Sequence, residues 1–289
     1  MNADPLVSIV IPSYKIMHFE TSLRSAVGQT YNNLEIIVFD NCPTEHIKEI
    51  CEKYPQVKYI RNNEMGAANN ILKAVYENNG DYVKPLFDDD ILHPFCVQKL
   101  VEKAVYTKAP IVFSSSSVID KYNNKKIIRR PFFNDCKISG LDMHKTMALN
   151  FTNFIGEFST VIFSKNQLIN VGNNNLFRYG EICFDKGLSD VVSYINIASK
   201  EDVVYIDEEL SYFRKDDSIE SNSNPFTNPS FVYAITDWIY IMINSCELNI
   251  IKKEEILIKM DSVINFLDGW SRYHPSVLET KIKFIEYLD

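Results

Sequence analysis

The sequence predicts an α/β fold, a mostly parallel sheet flanked by helices, with a helical extension at its C-terminal end. Two observations lead to it. Through roughly the first hundred residues, short apolar runs alternate with helical patterns at the spacing of right-handed strand–helix–strand crossovers. Beyond a stretch rich in Ser, Asn and Pro, the pattern is helical throughout.

Val7-Ser8-Ile9-Val10-Ile11 is an apolar run stopped by Pro12 and reads as a buried parallel strand. A helix follows from Phe19 to Val27, with Leu23, Ala26 and Val27 apolar. Leu34 to Phe39 is a second strand ending at Asp40. Glu45 to Tyr54 reads as a helix, Val57 to Ile60 as a strand, Ala67 to Glu77 as a helix, and Tyr82 to Phe87 as a strand ending in Asp88-Asp89-Asp90. After Ile111-Val112-Phe113 the alternation changes. Ile127-Ile128 reads as a hairpin strand behind the Asn123-Asn124 turn. Leu141 to Leu149 reads as a helix, Thr160 to Phe163 as a strand, Leu188 to Ala198 as a helix, and Val203 to Ile206 and Leu210 to Phe213 as two strands. Helices are expected around Tyr233 to Cys246, Lys253 to Trp270 and Val277 to Leu288. The predicted boundaries are therefore 1–218 for the α/β domain, in halves 1–110 and 111–218, then a linker at 219–230 and the helical extension at 231–289.

An apolar fraction of 46% and a charged fraction of 24% over 289 residues allow a sizeable core. The net charge of −8 excludes a nucleic-acid partner, because gripping a phosphate backbone requires a basic face. A nucleotide ligand would need a metal to screen it from the carboxylates. Six scattered cysteines without a C-x-x-C pair disfavour zinc and a disulfide scaffold and fit reduced cytosolic thiols. The first residues lack a basic segment with an apolar stretch behind it, and the apolar run Phe231 to Ile251 is broken by Asp237 and Glu247. The expected location is cytoplasmic, with membrane contact at most peripheral, at the inner face. None of the five histidines forms an i, i+4 pair, so surface or capping roles are expected for them.

Ligands gather at the carboxyl ends of strands in parallel sheets. Pro12-Ser13-Tyr14, Asp40-Asn41 and Asp88-Asp89-Asp90 stand at three such ends. Three adjacent carboxylates repel one another unless a cation or donor groups sit there, and magnesium or manganese commonly takes one or two carboxylates plus substrate phosphates. The other reading is a solvated acidic turn capping the helix after His93. Asp40 can accept hydrogen bonds from a base or ribose, or cap the turn with Asn41 and Pro43.

Val7 to Tyr14, Leu23 to Tyr31, Leu34 to Asn41 and Asp81 to Asp90, in that order and spacing, closely resemble family 2 glycosyltransferases, inverting enzymes of the GT-A fold. The resemblance continues through Phe154-Ile155-Gly156-Glu157 and Val203 to Arg214, covering roughly residues 6–218. It implies that 1–110 binds a nucleotide sugar and 111–218 the acceptor. Pro12, Ser13 and Tyr14 would line the nucleobase pocket and Asp40 would bind base or ribose, with Asn70 and Lys84 also on the donor. The triplet would be the D-x-D element, Asp88 near the ribose and Asp89 and Asp90 serving metal and donor. Asp89 is the favoured metal ligand, because Phe87 fills the family's usual first acidic position. Counting back from Val203 to the family's acidic pair lands on Ser189-Asp190, which gives Asp190 the catalytic-base role. Its other reading is a carboxylate favoured by a helix N-terminus.

The sequence departs from the family in three places. Asn69 stands where arginine is usual, Ser189 replaces a glutamate, and Lys215-Asp216-Asp217 replaces a metal-binding histidine, leaving Asp216 as a substitute oxygen ligand. The resemblance implies a divalent metal, Mn2+ or Mg2+, a UDP-sugar donor and a glycan or lipid-linked glycan acceptor in surface polysaccharide synthesis. The rival readings are a non-catalytic nucleotide-sugar-binding module and a sugar nucleotidyltransferase, although Pro12-Ser13-Tyr14-Lys15 lacks the Gly-rich loop a nucleotidyltransferase would carry. Apolar stripes at Tyr233, Ile235, Trp238, Ile239, Met242 and Ile243, and at Ile256, Met260, Val263, Ile264 and Leu267, predict a homodimer through the C-terminal helices.

Overall fold

In the computed structural model, which describes residues 4–216, 225, 228 and 230–289, the first apolar run organises the sheet. Strand β1 (Val7–Ser13) is buried along its whole length, as a strand covered on both faces must be. It pairs in parallel with β2 (Leu34–Asp40) on one side and β4 (Tyr82–Pro85) on the other, and β2 pairs in parallel with β3 (Val57–Arg61). Helices α1 (Phe19–Val27), α2 (His46–Cys51) and α3 (Ala67–Tyr76) form the crossovers. The apolar stripe of α1 is Phe19, Leu23 and Ala26, fully buried beside Ile9, Ile11 and Val38. At about 1.5–3 kcal/mol for each large apolar side chain taken from water, this cluster is the main stabilising mass of the sheet. Gly80 lies so close to β1 that a Cβ there would sit 2.5 Å from Ser8 Oγ.

Past the triplet come β5 (Ile91–Leu92), α4 (Cys96–Thr107), β6 (Ile111–Ile119), β7 (Lys125–Arg129) and β8 (Cys136–Ser139). Together with β9 (Val161–Ser164) and β12 (Asp202–Arg214) they extend a ten-stranded sheet in the order β3-β2-β1-β4-β9-β6-β12-β5, with β7 on β6 and β8 on β12. The sheet is parallel from β3 to β4, β9 runs antiparallel between β4 and β6, and β6 and β12 are parallel again. Ile127 and Ile128 do form the hairpin strand β7, turned by Asn123 at φ 68°. Two readings from sequence are corrected. Residues 203–206 and 210–213 are one strand, because the acidic stretch between them is taken up as register shifts near Glu209 rather than as a turn. Helix α2 stops at Cys51, short of Tyr54.

The described chain forms two compact units: Met1–Ser139 with Ile155–Asn173 and Glu201–Lys215, and Gly140–Phe154 with Asn174–Lys200 and Asp216–Asp289. The first holds the sheet and α6 (Lys165–Val171). The second groups α5 (Gly140–Asn150), the β10 (Arg178–Tyr179) and β11 (Ile182–Cys183) hairpin and α7 (Ser189–Ile197) with α8 (Phe231–Glu247), α9 (Lys253–Ser271) and α10 (Val277–Leu288). The predicted boundary at 218 falls between α5 and the helices α8 and α9 on which it packs, and the second unit groups α7 with the same helices. Most of the predicted 219–230 linker lies outside the described residues. His144 is buried, not a surface residue. Its Nε2 lies 2.8 Å from Ser245 Oγ, and burial holds its imidazole down at about 4. The neutral ring bonded to a hydroxyl satisfies a polar group that α5 brings into an apolar interface. Phe151 packs on Trp238 and Phe266, and Phe231 on Trp270.

Candidate active site

In the first unit, β1 ends at Ser13 level with Asp40 at the end of β2, and β4 ends at Pro85. The chain turns over these ends: Leu86 N–H donates to Val10 O at 3.0 Å and Asp90 N–H to Phe87 O at 3.2 Å. The turn carries the three carboxylates, and each has a different environment.

Asp88 is buried, and one of its oxygens accepts the N–H groups of Tyr14 at 2.7 Å and Lys15 at 2.6 Å. Those two amides fasten the chain leaving β1 to the acidic turn. Burial, reinforced by Asp89, pushes the Asp88 carboxyl up to about 7. Asp90 is fully buried. Its Oδ1 accepts the N–H of Arg214 at 3.0 Å, while among the described residues the buried Oδ2 has no partner that meets hydrogen-bond geometry, although the Ser159 hydroxyl is near enough to favour the charged form. Burial and then Asp89 raise its carboxyl well above the usual range. Asp89 stays partly open and pairs with Lys15 Nζ at 2.7 Å. Burial works against the Lys15 charge, but the carboxylates beside it, Asp89 first, raise its pKa. Arg214, buried at the end of β12, donates Nε to Asp89 O at 2.8 Å, Nη1 to Asp120 O at 2.8 Å and Nη2 to Asn123 Oδ1 at 2.6 Å.

The remaining donor-side candidates divide by exposure. Tyr14 is 56% exposed and offers a ring beside the turn, whereas Pro12 and Ser13 are buried, the Ser13 hydroxyl donating to Ile11 O at 3.2 Å. Asp40 faces inward: it accepts Cys42 N–H at 2.8 Å, Tyr59 OH at 2.7 Å and Arg61 Nη1 at 2.8 Å with no exposed surface. Asn70 also is buried, its amide donating to Phe39 O at 2.8 Å and accepting from Asn62 at 2.9 Å. Lys84 does not reach the rim at all. Its fully buried ammonium donates to Pro85 O at 2.8 Å and Ser159 O at 2.7 Å, and burial brings its pKa down to about 8. Asp40, Asn70 and Lys84 thus brace the strand ends from beneath, where the sequence reading placed them on the donor.

Lys15 and Arg214 received no role from sequence, although Arg214 closes the Tyr-Phe-Arg motif and Lys15 follows the predicted pocket residues directly. Glu157, in the Gly-Glu motif, takes a bidentate pair from Arg129 at 2.7 and 2.6 Å, with the guanidinium over the Phe213 ring.

In the second unit, Asp190 lies in the first turn of α7 and is partly exposed. Its carboxylate accepts Asn153 Nδ2 at 2.8 Å and Val191 N–H at 2.8 Å. Glu181 and Asp185, earlier on the chain, are exposed, and Asp216 is buried.

Among the described residues, no set of three His, Cys, Asp or Glu side chains is placed to hold a metal ion. The acidic turn does fit a cation held mainly by a ligand's phosphates: Asp89 is partly open, Asp90 keeps a buried oxygen unbonded among the described residues, and magnesium and manganese need only one or two protein carboxylates in that arrangement.

The fold is shared with S. aureus TarS. Its fragment 1–349, solved in complex with UDP-GlcNAc, matches with a TM-score of 0.65 at 15% identity, covering 98% of this chain and 89% of that one. An uncharacterized glycosyltransferase of Rickettsia felis is 25% identical over 244 residues, 78% of this chain and 35% of that protein. The putative teichuronic acid biosynthesis glycosyltransferase TuaG of Bacillus subtilis is 28% identical over 125 residues, 41% of this chain and 49% of that one. Chondroitin synthase of Escherichia coli is 24% identical over 227 residues, 72% of this chain and 33% of that one. The chain spans between about a third and a half of the length of these relatives. Residues 8–168, more than half of the chain, match the model described as Glycosyl transferase family 2, and the protein belongs to that family.

Proposed function

We propose that the protein transfers a sugar from a UDP-sugar to a hydroxyl of a glycan or lipid-linked glycan, with inversion and with manganese or magnesium, in building a surface polysaccharide. The observation that carries the reading is the acidic turn over the ends of β1 and β4, held by Tyr14, Lys15 and Arg214 with Asp89 left partly open. TarS supports the donor class, since its fragment 1–349 has been solved in complex with UDP-GlcNAc and with UDP, and the names of TuaG and chondroitin synthase support polysaccharide synthesis. The proposed setting is cytoplasmic, at most peripheral to the membrane; among the described residues no helix is long and apolar enough to cross one.

In this reading Tyr14 stacks on the base, and Asp89 with Asp90 would hold the metal that serves the donor diphosphate. The metal's part is to neutralise charge on the departing phosphate oxygens. Asp190 accepts the proton of the attacking hydroxyl. The freed oxygen forms a bond to the anomeric carbon as the bond from that carbon to the diphosphate breaks on the opposite side, and the electron pair leaves with UDP. Asn153 donates to Asp190 and keeps one carboxylate oxygen oriented. Asp216 is assigned as an auxiliary oxygen ligand in place of histidine. Two copies pair through the 231–289 helices.

A panel of nucleotide sugars, assayed for product release with manganese and with excess chelator, tests the function. UDP release that requires the metal supports it, pyrophosphate release would mark a nucleotidyltransferase, and silence would mark a binding module. Asp89→Ala is to lose UDP affinity. Asp190→Asn is to keep it while losing about 10²–10⁴-fold in rate. An Asp190→Asn variant with more than about a tenth of the wild-type rate would move the base to Glu181 or Asp185.

A further inference from the structure

The three residues before α7 lie on one turn of α8. Lys186 Nζ sits 5.2 Å from the centre of the Tyr233 ring. Gly187 lies against the α8 backbone so closely that a Cβ would stand 2.7 Å from Tyr233 C, 2.8 Å from Ala234 N and 2.1 Å from Asp237 Oδ2. The N–H of Leu188, the residue that opens α7, donates to Asp237 Oδ2 at 2.8 Å. A leucine side chain cannot cap a helix; Asp190 accepts the Val191 N–H from within α7, and the Leu188 N–H takes its acceptor from elsewhere. Asp237 supplies it from the middle of another helix and is itself buried, 7% exposed. A carboxyl in such a place is costly unless something requires it; burial, with Asp185 adding to it, pushes it up to about 7. Two residues past this anchor stands Asp190, whose oxygens accept from Asn153 and from Val191 N–H.

We infer that Asp237 of α8 is a positioning residue for Asp190: by holding the first turn of α7 against α8, it aims the base. The inference rests on the reading of Asp190 as that base. It gives the C-terminal helices a part in the reaction, because the anchor for the base-bearing turn comes from them. A general base acts only within hydrogen-bond reach of the proton it takes, so a small displacement of this turn lowers turnover and leaves donor binding alone.

The test is a double-mutant cycle read by UDP release from UDP-N-acetylglucosamine with manganese, or from whichever sugar of the panel is turned over fastest. UDP affinity is measured by calorimetry and folding by circular dichroism. Asp237→Ala is to lower kcat by about tenfold or more, with UDP affinity within about twofold of wild type. Asp237→Asn, which keeps an acceptor oxygen for Leu188, is to recover at least about a third of the rate. In an Asp190→Asn background, Asp237→Ala is to have no further effect on the residual rate, because the residue it aims is gone. Asp237→Leu, of similar size and without an acceptor, is the second variant if Asp237→Ala does not fold. A folded Asp237→Ala or Asp237→Leu with unchanged kcat overturns the inference, as does an equal loss in both backgrounds. If Asp190→Asn alone keeps its rate, the base reading has failed instead, and the inference goes with it.

Discussion

Arg214 shows how one side chain can hold a site without facing it. Its backbone N–H meets Asp90, Nε meets the carbonyl of Asp89, and the two Nη groups meet Asp120 O and Asn123 Oδ1. The guanidinium has its donors in a fixed fork, which an ammonium cannot reproduce. Arg214→Lys is therefore expected to destabilise the first unit by about 1–3 kcal/mol, since at least one buried acceptor loses its donor. It is also expected to weaken UDP binding. Urea unfolding and calorimetry check the two effects separately, and an unchanged midpoint would show that the acceptors find water instead. The motif residues were readable in the sequence, but this role was not: Arg214 and Asp89 are 125 residues apart and meet only through the β5–β12 and β6–β12 pairings. The same limit explains Asp40, Asn70 and Lys84. The place of Asp40 at the end of β2, of Lys84 in β4 and of Asn70 near the start of α3 could be read from the sequence. The direction each side chain takes depends on Arg61, Asn62 and Ser159, partners that no local pattern identifies.

Periodicity located the elements well where one face is buried and the other wet, as in α1 and α9, and poorly where charge interrupts a strand. Asp207-Glu208-Glu209 looks like a turn, yet Arg130 clasps Asp207 and Ser117 donates to Glu209 at 2.7 Å, so the strand continues through it. The bond from the Leu188 N–H, just before α7, to Asp237 of α8 is the less visible counterpart, and it has a pH signature. The Asp237 carboxyl stands at about 7 in the fold, against roughly 4 in an unfolded chain. The folded state therefore binds this proton more tightly, and the stability linked to it is complete below about pH 4 and lost as pH climbs through about 7. Thermal unfolding followed from pH 5 to pH 8 is expected to show a falling Tm with a shallower slope in Asp237→Leu. Asp88 and Asp90, raised in the same direction, keep some slope in the variant. Equal slopes in both proteins would mean that Asp237 stays ionised across the range.

At the scale of the whole molecule, the tail answers to two demands. The stripes from which the sequence predicts a homodimer are largely used inside the second unit, where Ile235, Trp238, Ile239, Met242, Ile256, Val263 and Leu267 are all buried. What supports the proposed dimer is apolar surface outside those stripes: Ile258 at 82% and Ile282 at 56% exposed, with Leu257 and Leu278 also open. Apolar side chains left on the surface associate when enough of them gather in one patch, and their attraction is not screened by salt. The charge of −8 on each copy opposes association, and salt does screen that. The dimer is therefore expected to tighten as ionic strength rises, the reverse of an interface held by ion pairs. Light scattering at tens of micromolar, in low and in high salt, decides it: a mass near twice 33.4 kDa that grows more populated with salt supports pairing. Ile258→Asp and Ile282→Asp are each expected to return the monomer with UDP affinity unchanged, since both residues lie outside the unit that carries Asp89. A wild-type monomer in both salts would leave the exposed side chains as scattered surface residues of the kind every protein carries.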